Sequence, residues 1–215
     1  MLMPMRFALP LFAAAVAIAS GLVAPSVRGQ TIIDQWKSID VPPAPPLKAV
    51  ALDRSTTALL MLDFNEQTCN AQRRPRCVAS IPKVKTLLSS ARAAGVPVIF
   101  SLGGAAKPAD IARDLAPAAN EPVVSSGVDK FMGTELEKIL KEKGIRTVIV
   151  VGTAAHGAVL YTASGAALRG MKVIVPVDGM SSDVVYAEQY VAWHLMNAPL
   201  IGAAVTLTTI DQVAF

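Results

Sequence analysis

Asp63 closes an apolar run, Thr57 to Leu62, and is the first residue in the chain placed to do chemistry. A carboxylate at the mouth of a buried strand is partly stripped of water, which disfavours its charge and suits it to moving protons. The same group also suits a local task, capping the amides of the loop that follows. Asn65 and Glu66 lie near enough in sequence to line that mouth. Lys130 is the second candidate, and its ammonium either reaches the Asp63 end of the chain's core or pairs with the adjoining Asp129 at the surface. His156 stands in a run of small residues, Gly152-Thr153-Ala154-Ala155-His156-Gly157-Ala158, either as a group that orients a ligand or as a residue packed at a helix start.

Two cysteines, Cys69 and Cys77, share one hydrophilic loop with Arg73, Arg74 and Arg76. In an oxidising compartment a pair this close closes a small disulfide ring. As a free nucleophile either would need a strand–turn–helix setting, which the loop lacks. A zinc site would need more ligands, and the two histidines, His156 and His194, are remote in sequence. No metal and no cofactor is therefore expected. A stapled loop carrying guanidinium groups just beyond Asp63 suits recognition of a carboxylate, with Arg73 as the representative candidate. A solvated basic loop is the plainer alternative.

Alternating apolar runs and helical segments must position these groups. Strands are expected at Thr57 to Leu62, Val96 to Leu102, Pro122 to Ser125, Thr147 to Val151, Lys172 to Val177 and Val205 to Thr208. Helices are expected from Ile81 to Ala94, entered through Ser80 and Pro82, from Thr134 to Gly144, from Ala158 to Arg169, and from Val184 to Asn197. Thr134 followed by Glu137 reads as a capping box. Such alternation implies an α/β fold, an open doubly wound parallel sheet of about six strands with helices on both faces. Ligands bind beyond the carboxyl ends of such strands, where Asp63, Ser125, Gly152 and Asp178 all fall. The aromatics of Tyr186, Tyr190 and Trp193 lie at helical spacing and suit a core or a subunit interface.

Several segments in this order resemble one family. They are Leu59-Leu60-Met61-Leu62-Asp63, Ala91-Arg92-Ala93-Ala94-Gly95-Val96-Pro97-Val98, Phe131-Met132-Gly133-Thr134-Glu135-Leu136, the stretch from Val150 to Ala163, and Gly170-Met171-Lys172-Val173. Together they resemble the isochorismatase-like hydrolases, which include nicotinamidases, carbamoyl amidases and isochorismatase itself. The resemblance covers about Thr57 to Thr208. It implies that Asp63 is the general acid/base and that a lysine after the third strand holds it. An ungapped alignment on Phe131-x-Gly-Thr sets that lysine near Ser125, whereas the chain has Lys130 directly before the phenylalanine. Ser125 thereby becomes a candidate contact to substrate.

The resemblance also implies a cis peptide before Ala154 and an oxyanion hole made by the amides of Ala154 and Ala158. In most members the position of Ala158 carries a nucleophilic cysteine. Alanine neither attacks nor ionises, so thiol chemistry there is excluded. Isochorismatases proper are similar at Ala155-His156 and at the small residue in the cysteine position. In them the aspartate protonates a vinyl ether and water adds to the cation. The likeness implies a small polar or anionic substrate for this chain, handled by Asp63 and water, and assembly as a homo-oligomer. The alternative is a catalytically inactive protein that binds a small molecule or partner through the same pocket.

Composition bounds the rest. A chain of 215 residues, 53% hydrophobic and 17% charged, supports one ample core. Its formal charge of +4 falls to +2 without residues 1–29, which hold Arg6 and Arg28 and no acid. No basic run interleaves with aromatics, and Gly103-Gly104 lacks the spacing of a phosphate loop, so neither nucleic acid nor a dinucleotide is an expected partner. Residues 1–29 read as a signal peptide, with Arg6 before the apolar stretch Phe7 to Ala24 and a cleavage site at Val27-Arg28-Gly29. An uncleaved anchor is the competing reading. Export to the periplasm or beyond follows, with no membrane association after cleavage. Residues 30–56, with Val41-Pro42-Pro43-Ala44-Pro45-Pro46, read as a stiff arm before the domain at 57–215.

Overall fold

A computed structural model describes residues 31–215. The expected signal segment lies outside the described residues. The chain divides between Val41 and Pro42 into two units. Before the division the described residues hold one helical turn, α1 (Ile32–Gln35), whose first amides are met by Thr31 and Asp34. After it, Pro42–Phe215 forms the compact unit that carries the candidate site.

That unit runs β1 (Val50–Ala51), β2 (Thr57–Leu62), α2 (Pro75–Ala93), β3 (Val98–Leu102), β4 (Val123–Ser125), α3 (Leu136–Glu142) and β5 (Thr147–Thr153). It continues with α4 (Leu160–Leu168), β6 (Lys172–Pro176), β7 (Met180–Ser181), α5 (Val185–Asn197), β8 (Val205–Thr208) and β9 (Val213–Ala214). The main sheet is parallel throughout, in the order β4-β3-β2-β5-β6-β8, with β7 attached to the far end of β5. It has seven strands, one more than expected. The extra one, β7, is two residues long and too short to leave a periodic trace.

The strands form where aliphatic residues run without a break, and β2 and β5 are buried at every position. Both faces are covered, so alternate residues enter different cores. Leu60, Leu62, Val148 and Val150 join α3, α4 and α5 on one face. Leu59, Met61, Ile149 and Val151 meet Val84, Leu87 and Leu88 of α2 on the other. Fully burying each such side chain stabilises the fold by roughly 1.5–3 kcal/mol.

Four local expectations change. Helix α2 starts six residues earlier than expected, because Pro75 opens it and Cys77 lies inside its first turn. Thr134 does not form a capping box, since Glu137 faces Lys141 and Arg169 instead. The arm does not stay outside the domain along its whole length: β1 pairs with β9, and Lys48 N donates to the Leu207 carbonyl at 2.9 Å. On α5, Tyr186 and Trp193 face outward rather than into the core.

Candidate active site

The strand order reverses between β2 and β5, and the residues of interest gather at the carboxyl ends of those two strands. This is the switch point at which open parallel sheets present a crevice. Asp63 follows β2 directly and has φ 58, a left-handed backbone that aspartate tolerates better than most residues. Its amide donates to the Ser101 carbonyl at 3.2 Å, which turns its side chain along the end of β3.

There the carboxylate is held from two sides. Ser101 Oγ donates to Asp63 Oδ1 at 2.8 Å, and Lys130 Nζ donates to Asp63 Oδ2 at 2.8 Å. Lys130 is wholly buried and Asp63 nearly so. The ammonium also donates to the carbonyl of Gly127 at 2.8 Å, with those of Ser126 and Leu102 at 3.4 and 3.5 Å. Its charge is thus met by one carboxylate and a ring of carbonyl dipoles, the condition under which a buried ion is tolerated. Gly103 forms part of the wall. A side chain there would begin 3.3 Å from Asp63 Oδ2, so the absence of one keeps the carboxylate reachable.

The loop after β4 brings Lys130 to this position. Lys130 N donates to Thr162 Oγ1 of α4 at 3.2 Å, and Thr134 Oγ1 donates to the Lys130 carbonyl at 2.6 Å. Phe131 packs under the Arg169 guanidinium, 4.3 Å from its ring centre. Of the two readings of Lys130, the buried pair with Asp63 is the one formed. Ser125 is exposed on β4 and does not join the cluster; the neighbouring Ser126 contributes its carbonyl.

On the β5 side, Gly152 is required by close approach, since a Cβ would lie 2.3 Å from the Leu62 carbonyl oxygen. The Thr153–Ala154 peptide is cis, at the position where the resemblance implies it. A single π-helical turn, Ala155–Val159, then leads into α4. Ala158 is buried with its methyl group in the core beside Ala155 and Val159. His156 is exposed, and its Nδ1 lies 2.8 Å from Ser182 Oγ, which in turn donates to Asp183 Oδ1 at 2.8 Å. Ser182 itself is fully buried, and its amide is held by Glu188. The hydroxyl to Asp183, then the Asp183 amide, hold that carboxyl below its usual range against the opposing effect of burial, with His156 and Arg74 adding to the pull.

Cys69 and Cys77 form the disulfide, with their Cα atoms 5.3 Å apart. Asn65 and Thr68 just before its ring, and Asn70 within it, organise the chain. Thr68 Oγ1 donates to the Asp63 carbonyl, Asn65 Oδ1 accepts from the Gln67 amide at 3.1 Å, and Asn70 Oδ1 accepts from the Arg73 amide at 2.8 Å. Asn65 is fully buried beside Asp63. Arg73 points outward and reaches only the Gln67 carbonyl, at 3.4 Å. The buried guanidinium of this loop belongs to Arg74 instead. A hollow of about 450 Å³ lined by Glu121, Pro122, Glu142 and Lys143 lies at the opposite, amino-terminal ends of the strands and contains none of these groups.

Sequence reasoning missed Ser101, Gly103 and Ser182. Ser101 had a signal, as the one hydroxyl in the run Val98-Ile99-Phe100-Ser101-Leu102.

Comparison with known proteins agrees with this fold. The sequence profile of the isochorismatase domain matches residues 57–210. A secreted isochorismatase effector of Verticillium dahliae is 34% identical over 115 residues, covering 47% of this chain and 60% of the effector. The chain therefore spans about three-fifths of that relative's length. Among solved structures, a cysteine hydrolase of Pseudomonas syringae superposes with a TM-score of 0.67 at 20% identity, covering 79% of this chain and 95% of that one. An isochorismatase family protein of Burkholderia thailandensis gives 0.66 at 21% identity, covering 77% and 97%. The fold is the α/β fold of isochorismatase-like hydrolases. This chain belongs to the isochorismatase family.

Proposed function

We propose that this protein is an exported hydrolase that cleaves a small vinyl-ether carboxylate through Asp63 and water, without a covalent intermediate. The observation that carries the reading is the buried Asp63–Lys130 pair lying across the crevice from a turn whose nucleophile position is Ala158. An acid/base group is present and a thiol is not. Protonation of the vinyl-ether carbon through Asp63 makes an oxocarbenium ion, and water adds to it. The hemiketal then collapses to a ketone and an alcohol, and the proton given up by water restores that of Asp63. Lys130 and Ser101 fix the carboxylate during both transfers, and the amides of Ala154 and Ala158 offer hydrogen bonds to oxygen as charge develops. The Verticillium relative supports both isochorismate as the first substrate to test and a secreted setting, and the Cys69–Cys77 disulfide fits an oxidising compartment.

The test is pyruvate release from isochorismate by the chain lacking residues 1–29. Saturable release is expected, falling by about 10³-fold in Asp63→Asn when both proteins are assayed below the lower melting temperature expected of a variant that leaves the Lys130 charge unpaired. Undiminished release in the Asn variant, or none in the wild type, removes the mechanism. Ala158 also favours a second reading, a catalytically silent family member that binds a ligand in the same crevice. Saturable isochorismate binding without release by the wild type is its expected signature.

A further inference from the structure

Arg74 is nine-tenths buried, at 9% exposure, inside the disulfide ring. Its Nη1 donates to the Thr68 carbonyl at 3.1 Å, and Thr68 in turn holds the Asp63 carbonyl, so the guanidinium is fastened to the backbone that presents the carboxylate. Its Nε is buried without a hydrogen-bond partner. Among the described residues no carboxylate lies within ion-pair distance of it, whereas the other two buried charges, Asp63 and Lys130, pair with each other. Both Asp63 and Asp183 are near enough to act on it electrostatically; burial, then Arg73, push the guanidinium below its usual range, and those two carboxylates oppose them.

A second orphan sits just before the ring, between it and Asp63. Five buried polar side-chain atoms lack partners among the described residues, and three are hydroxyls. The other two are N–H donors, Arg74 Nε and Asn65 Nδ2. Asn65 and Arg74 are joined through Thr68, whose amide donates to the Asn65 carbonyl at 3.0 Å. Leaving a buried donor unsatisfied costs about 1–3 kcal/mol, more for a charged group. Two such donors, one inside the stapled ring and one on the segment that joins it to Asp63, describe a site built for an acceptor that arrives from outside.

We propose that Arg74, assisted by Asn65, binds a carboxylate of the substrate and so sets its position against Asp63. The proposal rests on the hydrolase reading for the location of the crevice and adds the ligand's chemical class. It assigns the task to Arg74 rather than to the exposed Arg73. The stapled loop acts as the holder: Cys69 precedes the arginine and Cys77 follows it, so the guanidinium is presented from a closed ring.

Calorimetric titration of benzoate and of benzamide, equal in shape and different in charge, tests the assignment without requiring turnover. Wild-type protein should bind benzoate at least about tenfold more tightly than benzamide, the value of one charge-assisted hydrogen bond. Arg74→Gln should bring benzoate down to the level of benzamide, Arg74→Lys should fall between, and Arg73→Gln should behave as wild type. A wild type that fails to distinguish the two probes, by binding both alike or neither, overturns the proposal. So does an Arg74→Gln protein with undiminished benzoate affinity. The wild-type comparison stands even if the Gln variant does not fold. Discrimination without isochorismate turnover would sink the reaction and leave the anion site, whereas turnover without discrimination would do the reverse.

Discussion

Two connections frame the crevice, and they conserve different things. The turn after β5 keeps its backbone: Gly152 packs against Leu62, the Thr153–Ala154 peptide is cis, and the chain passes through one π-helical turn into α4. What it lacks is the reactive side chain, since Ala158 only fills core. The loop after β4 is the opposite case. Its lysine is displaced from the position near Ser125 that the ungapped alignment expects, yet the loop delivers Lys130 to Asp63 Oδ2 at 2.8 Å. The difference follows from what each part must satisfy. A buried carboxylate demands a partner charge, and any path that brings one is acceptable. A missing thiol leaves no unsatisfied group, so alanine is tolerated without compensation.

The largest effect should come from breaking the loop's contribution. Lys130→Ala leaves Asp63 buried with only Ser101 to meet its charge, and breaking a buried pair in this way costs about 3–5 kcal/mol. Urea denaturation at neutral pH should show that loss, together with loss of turnover. The double variant Asp63→Asn, Lys130→Met should recover much of the stability, because neither remaining group is charged and the volume is kept. If Lys130→Ala stays within about 1 kcal/mol of wild type, the pair does not explain why the displaced loop converges on this position.

The turn is probed by Ala158→Cys. If the backbone there is intact, the introduced thiol should be alkylated faster than cysteine free in solution, and hydrolysis of small amides should rise from none to a measurable rate. Stability should change by about 1 kcal/mol, since a sulfur is added to a packed position. Mass spectrometry after iodoacetamide treatment reads the first outcome, with the native disulfide leaving one thiol to count. A thiol that stays inert would mean that the turn keeps its outline without its former function, and would favour the silent-binder reading.

These two connections also mark what was legible before the structure. Strands β2 and β8 appear at the expected residues because uninterrupted aliphatic runs have few other uses, and Asp63 is conspicuous as the charge that ends one. Lys130 was ambiguous because spacing along a chain does not describe the path of a loop. Its position is set by Thr162, which accepts from its amide, and by Arg169, which packs over the neighbouring Phe131; both belong to the α4 region, which meets this loop only in three dimensions. Choosing Arg73 over Arg74 failed for a related reason. Which of two adjacent arginines faces inward is decided by the Asn70 hydrogen bonds and the disulfide, not by composition. Ser101 stayed hidden because a sheet covered on both faces shows no alternation that would single out one side.

The smallest expected effect concerns how the displaced loop is anchored at its root. Glu121 stands just before β4, accepts from Arg92 Nε and Nη2 at 2.8 and 2.6 Å, and also accepts from the Ala118 amide at 2.7 Å. Burial pushes this carboxyl upward, but the Arg92 and Ala118 hydrogen bonds outweigh it and hold it below its ordinary value of 4.5. A carboxyl depressed on folding contributes stability that is present above its unfolded value and is lost as pH falls through the folded one. Wild type should therefore melt about 1–4 °C above Glu121→Gln at pH 7, and the gap should close as pH falls below 4.5. At the turn after β5 the depressed carboxyl, Asp183, reaches only the exposed His156 through Ser182, while the turn itself is held by Gly152, Thr153 and core packing. Hydrogen exchange in mild acid should accordingly rise first in peptides covering β4 and the Lys130 loop, with those covering residues 150–160 still protected. Equal loosening of both segments would show that the two connections share one anchorage, and that the contrast between them stops at the crevice.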